Sequence, residues 1–225
     1  VCTNFNQDIS AWDVSKVATL GSTFKNAAAF NQNIGSWNTA TVSNMVQTFY
    51  GATNFNQDIS GWNTANVTDM NTMFRNATSF NNGGLTMVRS DDSWNMVKVT
   101  NCQNMFKGAT SFNVDVNNWN IPACTNLTQM FQNATSFNQD ISSWDINQVT
   151  AFINMFSGSN ALSTANYNKL LHYWEAQDPQ DSKSFHGGDA TTDTSSGGVD
   201  GTAARARLVL ATGSGGDGWT ITDGD

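Results

Sequence analysis

The chain has 225 residues, a formal charge of −8 and 12% charged side chains, a charged fraction about half the usual share. The acidic balance, with no basic stripe to neutralise phosphates, speaks against nucleic acid and against an anionic membrane surface. No apolar run approaches the roughly 18 residues that would span a bilayer; the opening VCTNF is not a signal peptide and matches the middle of a repeat, GATNF at Gly51–Phe55.

From the first residues onward one unit recurs. Phe stands at Phe5, Phe30, Phe55, Phe80, Phe112 and Phe137, and Trp at Trp12, Trp37, Trp62, Trp94, Trp119 and Trp144. Both series step by 25, apart from one step of 32 across an insertion. A period in this range predicts stacked supersecondary units, none able to bury its apolar face alone. Within a unit, Ile59, Trp62, Thr64 and Val67 have the spacing of a short strand entered and left by turns. Met70, Phe74 and Ala77 then recur as one face of a helical turn or two. Asn or Gly follows in every copy (Asn26, Gly51, Asn76, Gly108, Asn133, Gly158), the residues that tolerate the left-handed conformation ending a helix.

Two polar columns accompany the aromatic ones. Asn6, Asn31, Asn56, Asn81, Asn113 and Asn138 each follow a Phe; stacked about one strand spacing apart, roughly 4.8 Å, they are expected to form a structural hydrogen-bonding ladder. Asp13, Asn38, Asn63, Asn95, Asn120 and Asp145 each follow a Trp. If the Trp faces in, its neighbour faces out, so this column is the candidate interaction surface.

The insertion, GGLTMVRSDDS over 83–93, adds Met87, Arg89, Asp91 and Asp92 to that candidate surface; the plainer reading is a tolerated loop. Cys102 and Cys124 occupy interior slots on neighbouring rungs, open to a bridge or to two buried free thiols. Four acceptor sequons begin at Asn66, Asn76, Asn126 and Asn133, candidates for N-glycosylation in a eukaryotic or viral source. No nucleophile elbow, phosphate loop or zinc spacing occurs. Asp8, Asp58 and Asp140 recur one per rung rather than as a close pair, and they match no calcium loop. No catalytic residue, metal site or cofactor is assigned.

After Leu162 the period stops. Ser163 or Thr164 caps a predicted helix carrying Tyr167, Leu170, Leu171 and Trp174 at i, i+3, i+4, i+7. A second helix is expected from Thr202 to about Ala211 and a short strand over Trp219–Thr222. The organisation expected is a repeat array over 1–162 and a C-terminal capping segment over 163–225. The first rung shows no cap, so it meets either further repeats or another subunit.

The stretches FNQDISAWDVSKV, FNQDISGWNTANVTDMNTMF and FNQDISSWDINQVTAFINMF resemble the repeat of BspA-like bacterial surface proteins, which are relatives of the leucine-rich-repeat proteins. The resemblance runs from Phe5 to about Leu162. The tail segments ANYNKLLHYW, SFHGG, AARARLVL and GWTITDGD resemble the closing segment of such arrays. It implies an α/β repeat solenoid: a leucine-rich-repeat-like right-handed coil with one short strand and one short helical turn per rung. It further implies an extracellular, cell-surface, non-enzymatic protein used in adhesion. The partner expected is a protein or glycan on another surface, or copies of the chain itself in a filament, sheath or virion appendage. Nucleic acid and membrane insertion are not expected.

Overall fold

The computed structural model describes residues 2–87 and 94–224. Copies of the repeat lie one upon another in parallel. Thr19, Asn44, Asp69, Asn101, Asn126 and Ala151 form a continuous line of single parallel bridges. The insertion leaves the line unbroken, because Asp69 pairs with Asn101 across it. Beside the bridges, alternate N–H groups reach into the next copy. Those of Met45, Gln47, Phe49 and Gly51 donate to the carbonyls of Asp69, Asn71, Met73 and Arg75 at 2.8–3.1 Å.

The segment after each bridge is not helical, unlike the expected turn or two of helix. An α-helix sends each N–H back four residues. Here half the N–H groups leave the copy, and the intervening ones close overlapping turns, as Thr48 and Tyr50 do onto the carbonyls of Met45 and Gln47. Two slots per copy are left-handed. Ser22, Gln47, Thr72, Asn104, Gln129 and Asn154 have φ of 55–61°, and the Asn/Gly slot beginning at Asn26 has φ of 56–71°. A left-handed residue cannot continue a right-handed helix. Within the described part of the repeats, the one helical element is a 3-10 turn at Asn82–Gly84, and the strand is reduced to a single bridge per copy.

Stacking aligns the aromatic rings. Phe30 and Phe55 lie 5.8 Å apart, Trp37 and Trp62 6.4 Å apart, in near-parallel planes. A second Phe from the turn segment packs against the first within each copy, as Phe49 does on Phe55 at 4.0 Å. The indole N–H of Trp37, Trp62, Trp94 and Trp144 donates to a carbonyl one copy back, Ile9, Ile34, Ile59 and Val116 respectively. These bonds let Trp be fully buried without an orphaned donor. Trp119 is the exception: its Nε1 is buried with no partner among the described residues.

The last copy is closed by other elements. Helix α1 (Thr164–Glu175) is capped by the Ser163 side chain and buries Tyr167, Leu170, Leu171 and Trp174. Strand β1 (Ser184–His186) continues the stack, with Phe185 bridged in parallel to Phe152. Helix α2 (Gly201–Val209) lies against α1, and strand β2 (Thr220–Thr222) pairs in parallel with β1. Asp223, its side chain wholly buried, joins the segments by accepting from Tyr167 at 2.6 Å and from both nitrogens of an Arg205 fork. Gln177 covers the last copy directly, donating to the Trp144 carbonyl and accepting the Ile146 N–H.

Candidate interaction face

The Asn column after Phe is a ladder of side chain to backbone. The N–H groups of Asn31, Asn56, Asn81, Asn113 and Asn138 each donate to the Oδ1 of the Asn one copy back, at 2.8–2.9 Å. Asn138 passes the pattern to the N–H of Ser163, the cap of α1. Asparagine suits the position because Oδ1 accepts the next copy's N–H while Nδ2 remains a donor.

The column after Trp faces outward, and it also has a local role. The Oδ1 atoms of Asp13, Asn38, Asn63, Asn95 and Asp145 each accept the N–H two residues on, at 2.9–3.2 Å. Such Asx turns favour Asp and Asn without any ligand. Asn120 is excluded from the pattern because Pro122 has no N–H to give. The same turn recurs at two more corners, with Asp8, Asn33, Asp58, Asp115 and Asp140 at one. At the other stand Thr19, Asn44, Asp69, Asn101 and Asn126. Up to three short polar side chains per copy therefore close turns, which is the physical reason that neutral and acidic short residues displace charged long ones in this chain.

These bonds also set the electrostatics. The N–H and hydroxyl of Ser10 hold the Asp8 carboxyl below its ordinary range, and the Ser15 hydroxyl and N–H do the same for Asp13. Burial opposes the effect at Asp140, but Ser142 and the Lys169 ammonium at 3.1 Å outweigh it.

A third exposed column lies on the strand side. The hydroxyls of Ser43, Thr68, Thr100, Thr125 and Thr150 each donate to the carbonyl of the residue one copy back, at 3.1–3.3 Å. The side chains of this column thus repeat at the fixed register of the copies.

The insertion differs from its expected role. Met87 is fully buried, so it belongs to the core rather than to an exposed surface. Asn82, also fully buried, carries the chain inward by accepting the Ile59 N–H and donating to the Leu85 carbonyl. Arg89, Asp91 and Asp92 lie outside the described residues.

Cys102 and Cys124 are buried free thiols, whereas Cys2 is exposed. The first two are neighbours: a hydrogen bond to Cys124, together with burial, raises the Cys102 thiol well above its ordinary value. Of the sequon asparagines, Asn66, Asn76 and Asn133 are exposed and Asn126 is half-buried. Asn126 also accepts the Thr128 N–H, and Asn66 donates to the Ala40 carbonyl.

Charge is less evenly spread than the sequence-wide balance implies. Lys25, Arg75 and Lys107 fall at the same place in three copies, with Tyr50 between the first two. Lys25 and Arg75 both lie over the Tyr50 ring, 5.4 and 5.6 Å from its centre. The chain does therefore carry a short basic stripe, contrary to the expectation of none.

Among the described residues, no group of three or more His, Cys, Asp or Glu is placed to hold a metal, and no helix is long and apolar enough to cross a membrane. A family model described as "Mycoplasma protein of unknown function, DUF285" matches residues 1–90 and again 84–195. No curated protein and no solved structure matches the chain.

Proposed function

The chain belongs to the DUF285 family, and from that premise we propose that it is a BspA-like extracellular surface module that binds a protein or glycan on another surface. In this reading residues 1–162 form a right-handed, leucine-rich-repeat-like coil, 163–225 cap it, and the chain is not an enzyme. The observation that carries it is the wall of exposed columns, in which Asx and Thr side chains repeat copy after copy at fixed register. A solenoid wall of this kind offers an extended, rigid surface on which many weak contacts act together. The repeat carboxylates support the same reading, since Asp8, Asp13, Asp58, Asp115, Asp140 and Asp145 are each engaged in closing a turn. The test is adhesion of protein-coated beads to a panel of cell surfaces. Asn38→Asp, Asn63→Asp and Asn95→Asp, made together, keep the turn acceptors and add charge to the wall. Weakened adhesion with unchanged thermal unfolding supports the reading; unchanged adhesion removes this column from the site, and no adhesion by the unaltered chain removes the function.

A further inference from the structure

The eleven residues from the bridge-following slot to the second Phe, or to Leu162 in the last copy, cover 20–30, 45–55, 70–80, 102–112, 127–137 and 152–162. They contain no Asp or Glu in any copy, yet hold Lys25, Arg75 and Lys107. In a chain with 18 acidic and 10 basic residues, this corner is cationic. The register fixes the three in one column. The N–H groups of Asn26, Gly51 and Asn76 donate to the carbonyls of Tyr50, Arg75 and Lys107 at 2.6, 2.8 and 2.8 Å. Successive side chains therefore stand about one strand spacing apart, roughly 4.8 Å. Tyr50 separates Lys25 from Arg75 and receives both cations on its ring. Nothing separates Arg75 from Lys107, and burial, then the Arg75 charge, lowers the Lys107 ammonium below its ordinary value.

Among the described residues no carboxylate neutralises the column. The ion pairs among the described residues join Lys169 to Asp140, Arg205 to Asp223 and Arg207 to Glu175, all involving the capping segment. Lys25 and Lys107 donate to neutral amides instead, the Oε1 atoms of Gln47 and Gln129 at 2.9 and 3.0 Å. The Arg75 Nε is buried with no acceptor. Stacked like charges repel, and a buried guanidinium N–H without a partner is destabilising. The repulsion is relieved by an anion lying along the column.

We propose that the Lys25–Tyr50–Arg75–Lys107 column binds an acidic glycan, a linear sugar chain carrying carboxylate or sulfate groups. The proposal rests on the reading of the chain as a surface interaction module. The stripe is one residue wide and bedded in amides and hydroxyls, which suits a hydroxylated polymer of sparse charge. A protein partner would look for an aromatic or aliphatic centre; of the large apolar side chains exposed in the repeats, Trp12, Leu85 and Val97 belong to other stretches, and Ile153 lies in the last copy, two copies beyond Lys107. A nucleic acid carries a charge about every 1.7 Å of duplex, far denser than three cations can match on a chain of net charge −8. Arg75 would grip a carboxylate or sulfate through paired N–H groups, with the lysines as point charges.

Biolayer interferometry with immobilised heparin, polygalacturonate, neutral dextran and a DNA duplex tests this at two salt concentrations. The unaltered chain is expected to bind heparin or polygalacturonate and not dextran. Arg75→Gln with Lys107→Gln should weaken that binding at least tenfold and flatten its salt dependence. Lys25→Gln, at an exposed side chain, should weaken it several-fold without touching the packing. Lys16→Gln with Lys98→Gln, cations outside the column, should leave it within twofold. Thermal unfolding of Lys25→Gln should match the unaltered chain. Absence of binding to both acidic glycans overturns the proposal, as does equal loss in the two double variants or tighter binding to DNA. Glycan binding through the column without adhesion to any cell surface keeps this inference and ends the adhesion reading. Adhesion that persists with no glycan binding does the reverse.

Discussion

The Oδ1 of Asn76 lies 2.4 Å from where a Cβ on Gly108 would stand, one copy further on. The same contact recurs from Asn26 to Gly51 and from Asn133 to Gly158, at 2.4 and 2.1 Å. An Asn side chain folded over the next copy leaves room for nothing but hydrogen there, so the slot alternates Asn, Gly, Asn, Gly up the stack. Gly108→Ala is expected to destabilise by more than the roughly 1–2 kcal/mol that a left-handed L-residue costs, because the methyl also meets Asn76. Adding Asn76→Gly should restore the steric part and leave the conformational part. Urea unfolding of the two singles and the double gives the coupling; strictly additive effects would contradict the contact.

The Asn ladder makes a second prediction. Asn56 Oδ1 accepts the N–H groups of both Asn81 and Gly83. Asn56→Ala leaves both without their acceptor, a loss of about 1–3 kcal/mol. Asn56→Asp, which keeps the acceptor, should lose clearly less at neutral pH. Equal losses in denaturant unfolding would mean that the ladder bonds contribute nothing.

Trp62 and Trp119 differ in one bond. Trp62 donates to the Ile34 carbonyl at 3.0 Å, whereas the buried Trp119 Nε1 has no partner among the described residues. Phe substitution should therefore cost about 1 kcal/mol more at Trp62 than at Trp119, since the lost ring volume is the same. Matched chemical denaturation curves for the two variants check it; a larger loss at Trp119 would show that its indole is bonded.

Acid stability turns partly on Asp193. The Ser196 hydroxyl and the N–H groups of Ser195 and Ser196 hold this carboxyl well below its ordinary value of 3.8. A depressed carboxylate contributes stability in full above its unfolded value and loses it as pH falls toward the lower folded value. Thermal unfolding should thus weaken with acidification below about pH 4, and Asp193→Asn should show a shallower decline. Parallel pH profiles for the two would remove Asp193 from the acid response.

Much of this was legible in the sequence because stacking acts column by column. The Phe and Trp beat, the Asn after each Phe and the spacing of Tyr167, Leu170, Leu171 and Trp174 each report a single environment repeated or a single helix face. What was not legible depends on where backbone N–H groups go. Met70, Phe74 and Ala77 have helical spacing, but overlapping turns with alternate N–H groups crossing between copies bury the same positions. The Asx column after Trp reads from sequence as a candidate interaction surface, and its turn-closing role is not legible there because a turn two residues long leaves no long-range sequence trace. The charge column of Lys25, Arg75 and Lys107 stood at the repeat spacing all along, concealed by a net charge summed over the whole chain. Met87 stands in an insertion, where exposure is the ordinary expectation, but it is buried, as is Asn82 before it, while residues 83–86 between them are exposed.

Each repeat adds one layer in parallel register, insertion or not. Pulsed electron spin resonance tests it, with spin labels on exposed residues in a Cys2→Ser background. Labels are placed in the pairs Ala18/Thr150, Ser43/Thr150, Thr68/Thr150 and Thr100/Thr150. The account predicts distances that shorten by about 4.8 Å for each copy removed, including the step from Thr68 to Thr100 that spans the insertion. Distances that do not shorten in equal steps, or a longer step across the insertion, would contradict it.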